Sequence, residues 1–243
     1  MRVVRVRDDQ GLGRASATEV RSRLAIKPDS VLAFPAGRTP VWMYRELVAM
    51  GQREDPALDF SQAAILDVDE FCGVSRDHPG SCGTYLWRHL LSHVTLPPHR
   101  VRLLDGAAQD PDAKCRRHDV QIGEWGGLDL VVLGIGENGH VALNEPGSSF
   151  DSRAHPVTLT FSTRAANAYL FGSLDQTPVQ GLTLGLATLM AAREVLLLAS
   201  GAHKACIVAQ ALGGPVTRDV PASLLQLHTN LTVIVDEAAG AEL

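Results

Sequence analysis

Leu130-Val131-Val132-Leu133-Gly134-Ile135-Gly136-Glu137-Asn138-Gly139-His140-Val141-Ala142-Leu143-Asn144-Glu145-Pro146 joins the most strand-like run of the chain to its densest cluster of glycine and ionisable residues. Leu130 to Leu133 is wholly apolar and lacks the alternation of a half-exposed strand, which predicts a place in the middle of a parallel sheet covered on both faces. Gly134, Gly136 and Gly139 then allow a sharp turn and a close approach to a ligand. Such a turn at the carboxyl end of a central strand is where open α/β sheets bind small molecules. Into it the sequence places Asn138, His140 and Glu145.

Similar strand, turn and helix units flank this stretch. Val31-Leu32-Ala33-Phe34 is a second buried-type strand; it enters Pro35-Ala36-Gly37-Arg38-Thr39-Pro40, and helical spacing resumes from Val41 to Met50. With Pro40 at the first helical position, the turn offers amide N–H groups and the Thr39 hydroxyl at a positive helix terminus, where a phosphate is stable. An ordinary βα turn is the competing reading; Arg38 favours an anion, because a guanidinium at a helix start opposes the dipole unless one is expected. Ala63-Ala64-Ile65-Leu66 delivers Asp67, Asp69 and Glu70 at its end. Period-two geometry puts Asp67 and Asp69 on one side, where like-charge proximity raises one pKa toward that of a working base, unless the run is only a solvated acidic loop. Val195 to Ala199 is a further strand, followed by the turn Ser200-Gly201-Ala202-His203-Lys204, from which Lys204 either reaches the same pocket or is simply solvated. Leu231 to Val235 is the last strand.

The intervening helices are predicted from a Ser16 or Thr18 cap through Val20, Leu24 and Ile26, from a Ser81 cap through Leu91, from Pro111 toward Glu124 with Gly126-Gly127 as the stop, and from Thr183 to Ala192. Between Gly147 and about Gln180 the signals are mixed and turn-rich, which predicts an irregular lid. The expected fold is a single α/β domain over residues 1–243, doubly wound, with a mostly parallel sheet and helices on both faces.

Composition sets the outer bounds. A chain of 243 residues, 45% of them apolar, can bury one large core. The formal charge of −5 disfavours a nucleic-acid partner. No apolar run approaches the ~20 residues of a membrane span, so the expectation is a soluble, cytoplasmic protein. Cys72, Cys82, Cys115 and Cys206 lack metal or redox spacing and are expected to be reduced, structural thiols. His89 and His93 form an i,i+4 pair with no acidic residue between them, so packing is favoured and no metal site is expected.

Together the motifs carry a family resemblance. Pro35-Ala36-Gly37-Arg38-Thr39-Pro40, Asp69-Glu70-Phe71-Cys72-Gly73, His78-Pro79-Gly80-Ser81, Gly136-Glu137-Asn138-Gly139-His140, Asn144-Glu145-Pro146 and Gly201-Ala202-His203-Lys204 occur in the order and approximate spacing of the glucosamine-6-phosphate deaminases, over about Lys27 to Asp236. Pro79-Gly80-Ser81-Cys82 with Thr84, and Gly127-Leu128-Asp129-Leu130, look more like the galactosamine-6-phosphate isomerase branch. The resemblance implies conversion of a hexosamine 6-phosphate and water to a ketohexose 6-phosphate and ammonia, with no cofactor. It makes Asp69 the base at C2, His140 the ring-opening catalyst, Glu145 the carboxylate that orients and charges it, and Gly37, Thr39 and Lys204 the phosphate site. The expected partner is a small-molecule sugar phosphate, the expected assembly a monomer or small homo-oligomer.

Four departures from the family pattern stand out. Asn138 occupies a position where many relatives have aspartate; an amide orients the ring but adds no charge. Arg38 replaces a small residue, and Ala166-Asn167-Ala168-Tyr169 lacks the lid arginine of the glucosamine enzymes, so Arg38 is expected to supply that cation. His155 and Val157 fall where allosteric relatives carry basic effector contacts, and the carboxyl-terminal extension is short, which argues against allosteric activation. Two alternatives remain: a 6-phosphogluconolactonase, disfavoured by Phe71 and Asn144-Glu145-Pro146, and a non-catalytic sugar-phosphate sensor, disfavoured by the few residues before Val31 and by Asp69, His140 and Glu145.

Overall fold

In the computed structural model, which describes residues 1–53 and 57–243, strands and helices alternate. The first half runs β1 (Arg2–Val6), α1 (Asp9–Ile26), β2 (Val31–Phe34), α2 (Val41–Arg53), β3 (Ala64–Asp67), β4 (Asp69–Phe71), α3 (Cys82–His89), β5 (Val101–Arg102) and α4 (Pro111–Glu124). The second runs β6 (Leu130–Gly134), β7 (His155–Thr158), α5 (Phe161–Asn167), β8 (Gln180–Thr183), α6 (Leu186–Met190), β9 (Glu194–Ala199), α7 (Ala205–Gly213) and β10 (Leu231–Asp236). Seven strands form one sheet in the order β1-β10-β9-β6-β2-β3-β5, with every pairing parallel. β6 is its middle strand, as its uninterrupted apolar run requires.

Each inner strand feeds two cores, because successive side chains point to opposite faces. Leu32, Leu130, Val132, Leu196 and Leu198 pack against Leu12 and Leu24 of α1, Met43 and Leu47 of α2, and Leu86 of α3. Val31, Ala33, Val131, Leu133, Val195 and Leu197 pack on the other face against Ile122 of α4, Leu189 of α6, and Ile207 and Val208 of α7. This is the doubly wound α/β arrangement. The start of the sheet is pinned by Asp129, whose buried carboxylate accepts from Val31 N (2.8 Å) and Lys27 Nζ (2.5 Å), while its own N–H donates to Val31 O (2.9 Å).

Three expectations are corrected and one strand is added. The first helix starts seven residues or more before Ser16: Asp8 is the cap, accepting from Gly11 N (2.8 Å), and Ser16 lies inside the helix with its hydroxyl on Leu12 O (2.7 Å). The amino-terminal Arg2–Val6 is an edge strand. Residues 147–180 are not irregular throughout, since β7, α5 and a 3-10 turn at Ala168–Leu170 lie within them. Thr183 ends β8, and the helix expected from it is confined to Leu186–Met190. β4, β8 and β7 form a second, antiparallel sheet, which stitches the strand carrying Asp69 to the segment after Pro146.

Asp129→Ala leaves the buried Val31 N–H without its acceptor, so the variant should lose about 1–3 kcal/mol of unfolding free energy. A denaturant titration monitored by circular dichroism measures this; an unchanged midpoint would show that the start of β2 is held by other contacts.

Candidate active site

β9, β6, β2 and β3 are neighbours, and their carboxyl ends share one edge of the sheet. That edge is where open parallel sheets place ligands. The turn after β6 is built around His140: a Cβ on Gly136 would lie 2.3 Å from the imidazole, so the ring rests directly on glycine backbone. Two residues on, Ala142 has φ +49°, a left-handed conformation that a non-glycine residue adopts at a cost. Asn144, fully buried, holds the strained turn by donating to Val141 O (3.0 Å) and Leu184 O (2.8 Å).

The structure brings His140, Glu145 and Asn138 together, with roles that differ in detail from those expected. Glu145 Oε2 lies 3.7 Å from His140 Nδ1, too far for a hydrogen bond, and acts on the ring through its field. The hydrogen-bond partner of Nδ1 is Thr163 Oγ1 at 3.2 Å. Asn138 Nδ2 donates to Glu145 Oε2 (2.7 Å), and its Oδ1 accepts from His140 N (3.2 Å), so the amide orients the carboxylate and the backbone rather than the ring. Burial holds the His140 pKa below its ordinary value; Glu145 opposes this and Lys204 adds to it. A neutral imidazole results, able to take a proton or give one.

Thr160 and Thr163 were not singled out from the sequence. Thr160 caps α5 by accepting from Thr163 N (3.3 Å), and its own N–H and hydroxyl bond Glu145 at 3.0 and 3.2 Å. The helix after β7 thus begins on the site carboxylate. A threonine two residues after Thr158 and ahead of Ser162-Thr163 is a cap signal that a search restricted to ionisable residues passes over.

Asp69 lies buried at the start of β4. Burial raises its carboxyl to about 7, with the neighbouring Glu70 adding to the rise and the Cys82 thiol, which donates to it, opposing. Asp67 and Asp69 do not share one strand as expected, although their proximity is real: burial raises the Asp67 carboxyl and the Glu70 and Asp69 charges add to the rise. At Val68 the chain leaves one sheet for the other, its N–H on Phe34 O (3.2 Å) and its carbonyl accepting from Leu184 N (2.8 Å). Asp67 instead binds Leu104 N (2.9 and 3.1 Å) and lies 3.7 Å from His118 Nε2. The two carboxylates therefore belong to different sheets, and the strand-long alternation assumed for them does not apply.

The turn after β2 has Gly37 at φ +127°, a conformation open to glycine, and its carbonyl accepts from the Tyr85 hydroxyl. Pro40 lies just before α2, one position earlier than predicted, with its carbonyl accepting from Tyr44 N (3.1 Å). The first turn of α2 carries no acidic side chain. Thr39 is half-buried beside it, and Arg38 is exposed. Lys204, half-buried, ends the 3-10 turn Ala202–Lys204 after β9; burial lowers its pKa and Glu137 opposes. Away from this edge, His89 packs 4.3 Å from the Tyr85 ring and His93 bonds Arg88 O (3.1 Å).

The family profile described as glucosamine-6-phosphate isomerases/6-phosphogluconolactonase matches residues 10–234. The chain belongs to this family. It is 39% identical to a glucosamine-6-phosphate deaminase of Bacillus pumilus (strain SAFR-032), covering 99% of both chains. It is 40% identical to one of Geobacillus sp. (strain WCH70), covering 98% of this chain and 94% of that one. A solved monomeric glucosamine-6-phosphate deaminase superposes with a TM-score of 0.97 at 38% identity, covering all of both chains. A 6-phosphogluconolactonase from Trypanosoma brucei, at 20% identity and a TM-score of 0.79, covers 100% of this chain and 98% of its own and shares the fold. Within this sheet, β6 and β9, which lead to His140 and Lys204, are neighbours, and β3, which leads to Asp69, lies beyond β2 on the same edge.

Two measurements test this geometry. Thr163→Val should lower turnover about tenfold with KM little changed, and Thr163→Ser should restore it; unchanged turnover in the valine variant would remove Thr163 from the His140 network. For stability, Asp69 binds a proton in the folded state up to about pH 7, whereas the unfolded side chain releases it near the ordinary 3.8. Folding is thus weakened as pH rises from about 4 to 7. Asp69→Asn should match the wild type near pH 3 and exceed it at pH 8 by a few kcal/mol, on the order of 1.4 per pKa unit; urea unfolding at the two pH values decides.

Proposed function

We propose that the protein is a deaminase that converts glucosamine 6-phosphate and water to a ketohexose 6-phosphate and ammonia. The observation that carries this is a buried carboxyl raised to about 7, Asp69, set at the same sheet edge as a neutral histidine and a lysine-bearing turn. Full-length similarity to glucosamine-6-phosphate deaminases supports it. Gly37, Thr39, the first N–H groups of α2 and Lys204 bind the phosphate. His140 moves the proton that opens the sugar ring, its imidazole oriented by Thr163, its backbone held by Asn138 and its charge favoured by Glu145. Asp69 takes the proton from C2 and returns it to C1, while a second proton passes from the amine nitrogen to O1, leaving an imine at C2; water adds there and ammonia departs. A base near pH 7 suits that two-way transfer, since it must both accept and release the proton.

Residues within 147–180 act as a lid over a single catalytic domain. Among the described residues no helix is long and apolar enough to cross a membrane, and the four cysteines are free. This supports a soluble protein of the reducing cytoplasm. The Ser81-Cys82 signature shared with the galactosamine branch has local tasks: Ser81 caps α3 and Cys82 touches Asp69. It favours neither sugar.

A coupled ammonia assay on glucosamine and galactosamine 6-phosphates is the test. Ammonia should be released from the glucosamine compound without added nucleotide. Asp69→Asn should lower kcat by about 10²- to 10⁴-fold with KM little changed. Release from neither sugar, with hydrolysis of 6-phosphogluconolactone, would overturn the proposal. Near-normal turnover in the variant would transfer the role of base to another group.

A further inference from the structure

Arg38, in the middle of the phosphate turn, is an exposed side chain without an acidic partner among the described residues, and its guanidinium carbon lies 4.3 Å from the ring centroid of Tyr169. Tyr169 belongs to the 3-10 turn Ala168–Leu170 that follows α5. Although 53% exposed, it stands on an anchored element. Phe171, two residues on, packs edge-on against Phe71 at 5.1 Å and stacks on His78 at 5.4 Å. At the other end of α5, Thr160 and Thr163 engage Glu145 and His140. Between these ends, Arg164 donates to Leu174 O (2.8 Å) and Thr177 O (3.1 Å). The turn that carries Tyr169 is therefore anchored both to the acid–base group and to the strand of Asp69.

We propose that Tyr169 is a positioning residue for Arg38, and that the pair forms a cationic arm which closes the phosphate site from the lid side. The inference rests on the deaminase reading for the identity of the phosphate ester. A guanidinium stacked on an aromatic face keeps its in-plane N–H groups free, and those groups match two oxygens of a phosphate. Without the ring, an exposed arginine at a helix start samples many rotamers and is pushed away by the positive helix end. Tyr169 removes that freedom before substrate arrives. The Tyr85 hydroxyl, bonded to Gly37 O, fixes the backbone from which Arg38 projects, so backbone and guanidinium are each held by a tyrosine. Phosphate binding is thereby coupled to the placement of α5, whose first turn holds Glu145.

The experiment compares wild type, Arg38→Ala, Tyr169→Ala, Tyr169→Phe and the Arg38→Ala/Tyr169→Ala double variant. It measures KM and kcat for ammonia release from glucosamine 6-phosphate, and inorganic phosphate binding by isothermal titration. Arg38→Ala should raise KM about 30- to 100-fold, keep kcat within about threefold, and weaken inorganic phosphate in parallel. Tyr169→Ala should raise KM about 2- to 5-fold, as loss of an exposed cation–π contact allows, and Tyr169→Phe should behave as wild type. The double variant should be no worse than Arg38→Ala, because the ring acts only through the guanidinium. Unchanged KM in Arg38→Ala, or effects that multiply in the double variant, would overturn the inference. If the wild type releases no ammonia from any hexosamine phosphate, the deaminase reading fails by itself; the phosphate titration then decides on the arm, and wild-type and Arg38→Ala proteins that bind phosphate equally would eliminate it.

Discussion

The carboxylate of Glu70 is the point on which the site depends. It is 2% exposed and accepts from Phe71 N (2.8 Å), Ser81 Oγ (2.6 Å), Cys82 N (3.0 Å) and Gly83 N (3.1 Å). Three of these donors open α3, so the charge sits at the positive end of that helix and satisfies N–H groups that would otherwise be orphaned in the interior. The same contacts fix β4 against α3 and set the Cys82 thiol beside Asp69. Two adjacent carboxylates thereby receive opposite surroundings. Glu70 is saturated with donors, while Asp69 is buried with the thiol beside it, the kind of division that separates a structural carboxylate from a working one.

The parallel sheet and the small antiparallel sheet divide the remaining work. The parallel sheet fixes where the turns emerge, because its strands are buried on both faces and cannot shift register without exposing one of the two cores. The antiparallel sheet brings Asp69, Phe71 and the segment after Pro146 to the same rim. Asn144 and Thr183 join the His140 turn to the end of β8: Asn144 Nδ2 donates to Leu184 O (2.8 Å) and Thr183 Oγ1 accepts from Leu143 N (3.1 Å).

Much of the site was legible because its residues sit at strand ends that sequence pattern locates well. Val31–Phe34, Leu130–Gly134 and Leu231–Asp236 are short apolar runs on inner strands of the sheet, and the turns after the first two carry Gly37 and His140. What was missed has specific causes. Among the described residues Arg2–Val6 pairs with β10 alone, and its arginines mask the strand period. Gly11 and Gly13 look like helix breakers ahead of Ser16, yet Gly13 is where α1 packs on α2, since a Cβ there would meet the Trp42 carbonyl at 2.8 Å. Asp67 and Asp69 looked like one strand because alternation cannot reveal that a chain changes sheets at a single residue. Thr160 and Thr163 matter through contacts made across the fold, from β6 to α5, which local sequence does not encode.

The switch at Val68 also orders events in time. β4 pairs with β8 across roughly a hundred intervening residues, Asp69 opposite Thr183, whereas β7 and β8 are closer in the chain. Closing so long a loop costs entropy that the β4–β8 pairing must offset. During synthesis, the chain must therefore extend past Thr183 before Asp69 has a partner strand. A ribosome-bound fragment that ends earlier carries every acid–base residue, including His140 and Glu145, yet has no pocket in which to shift their protons.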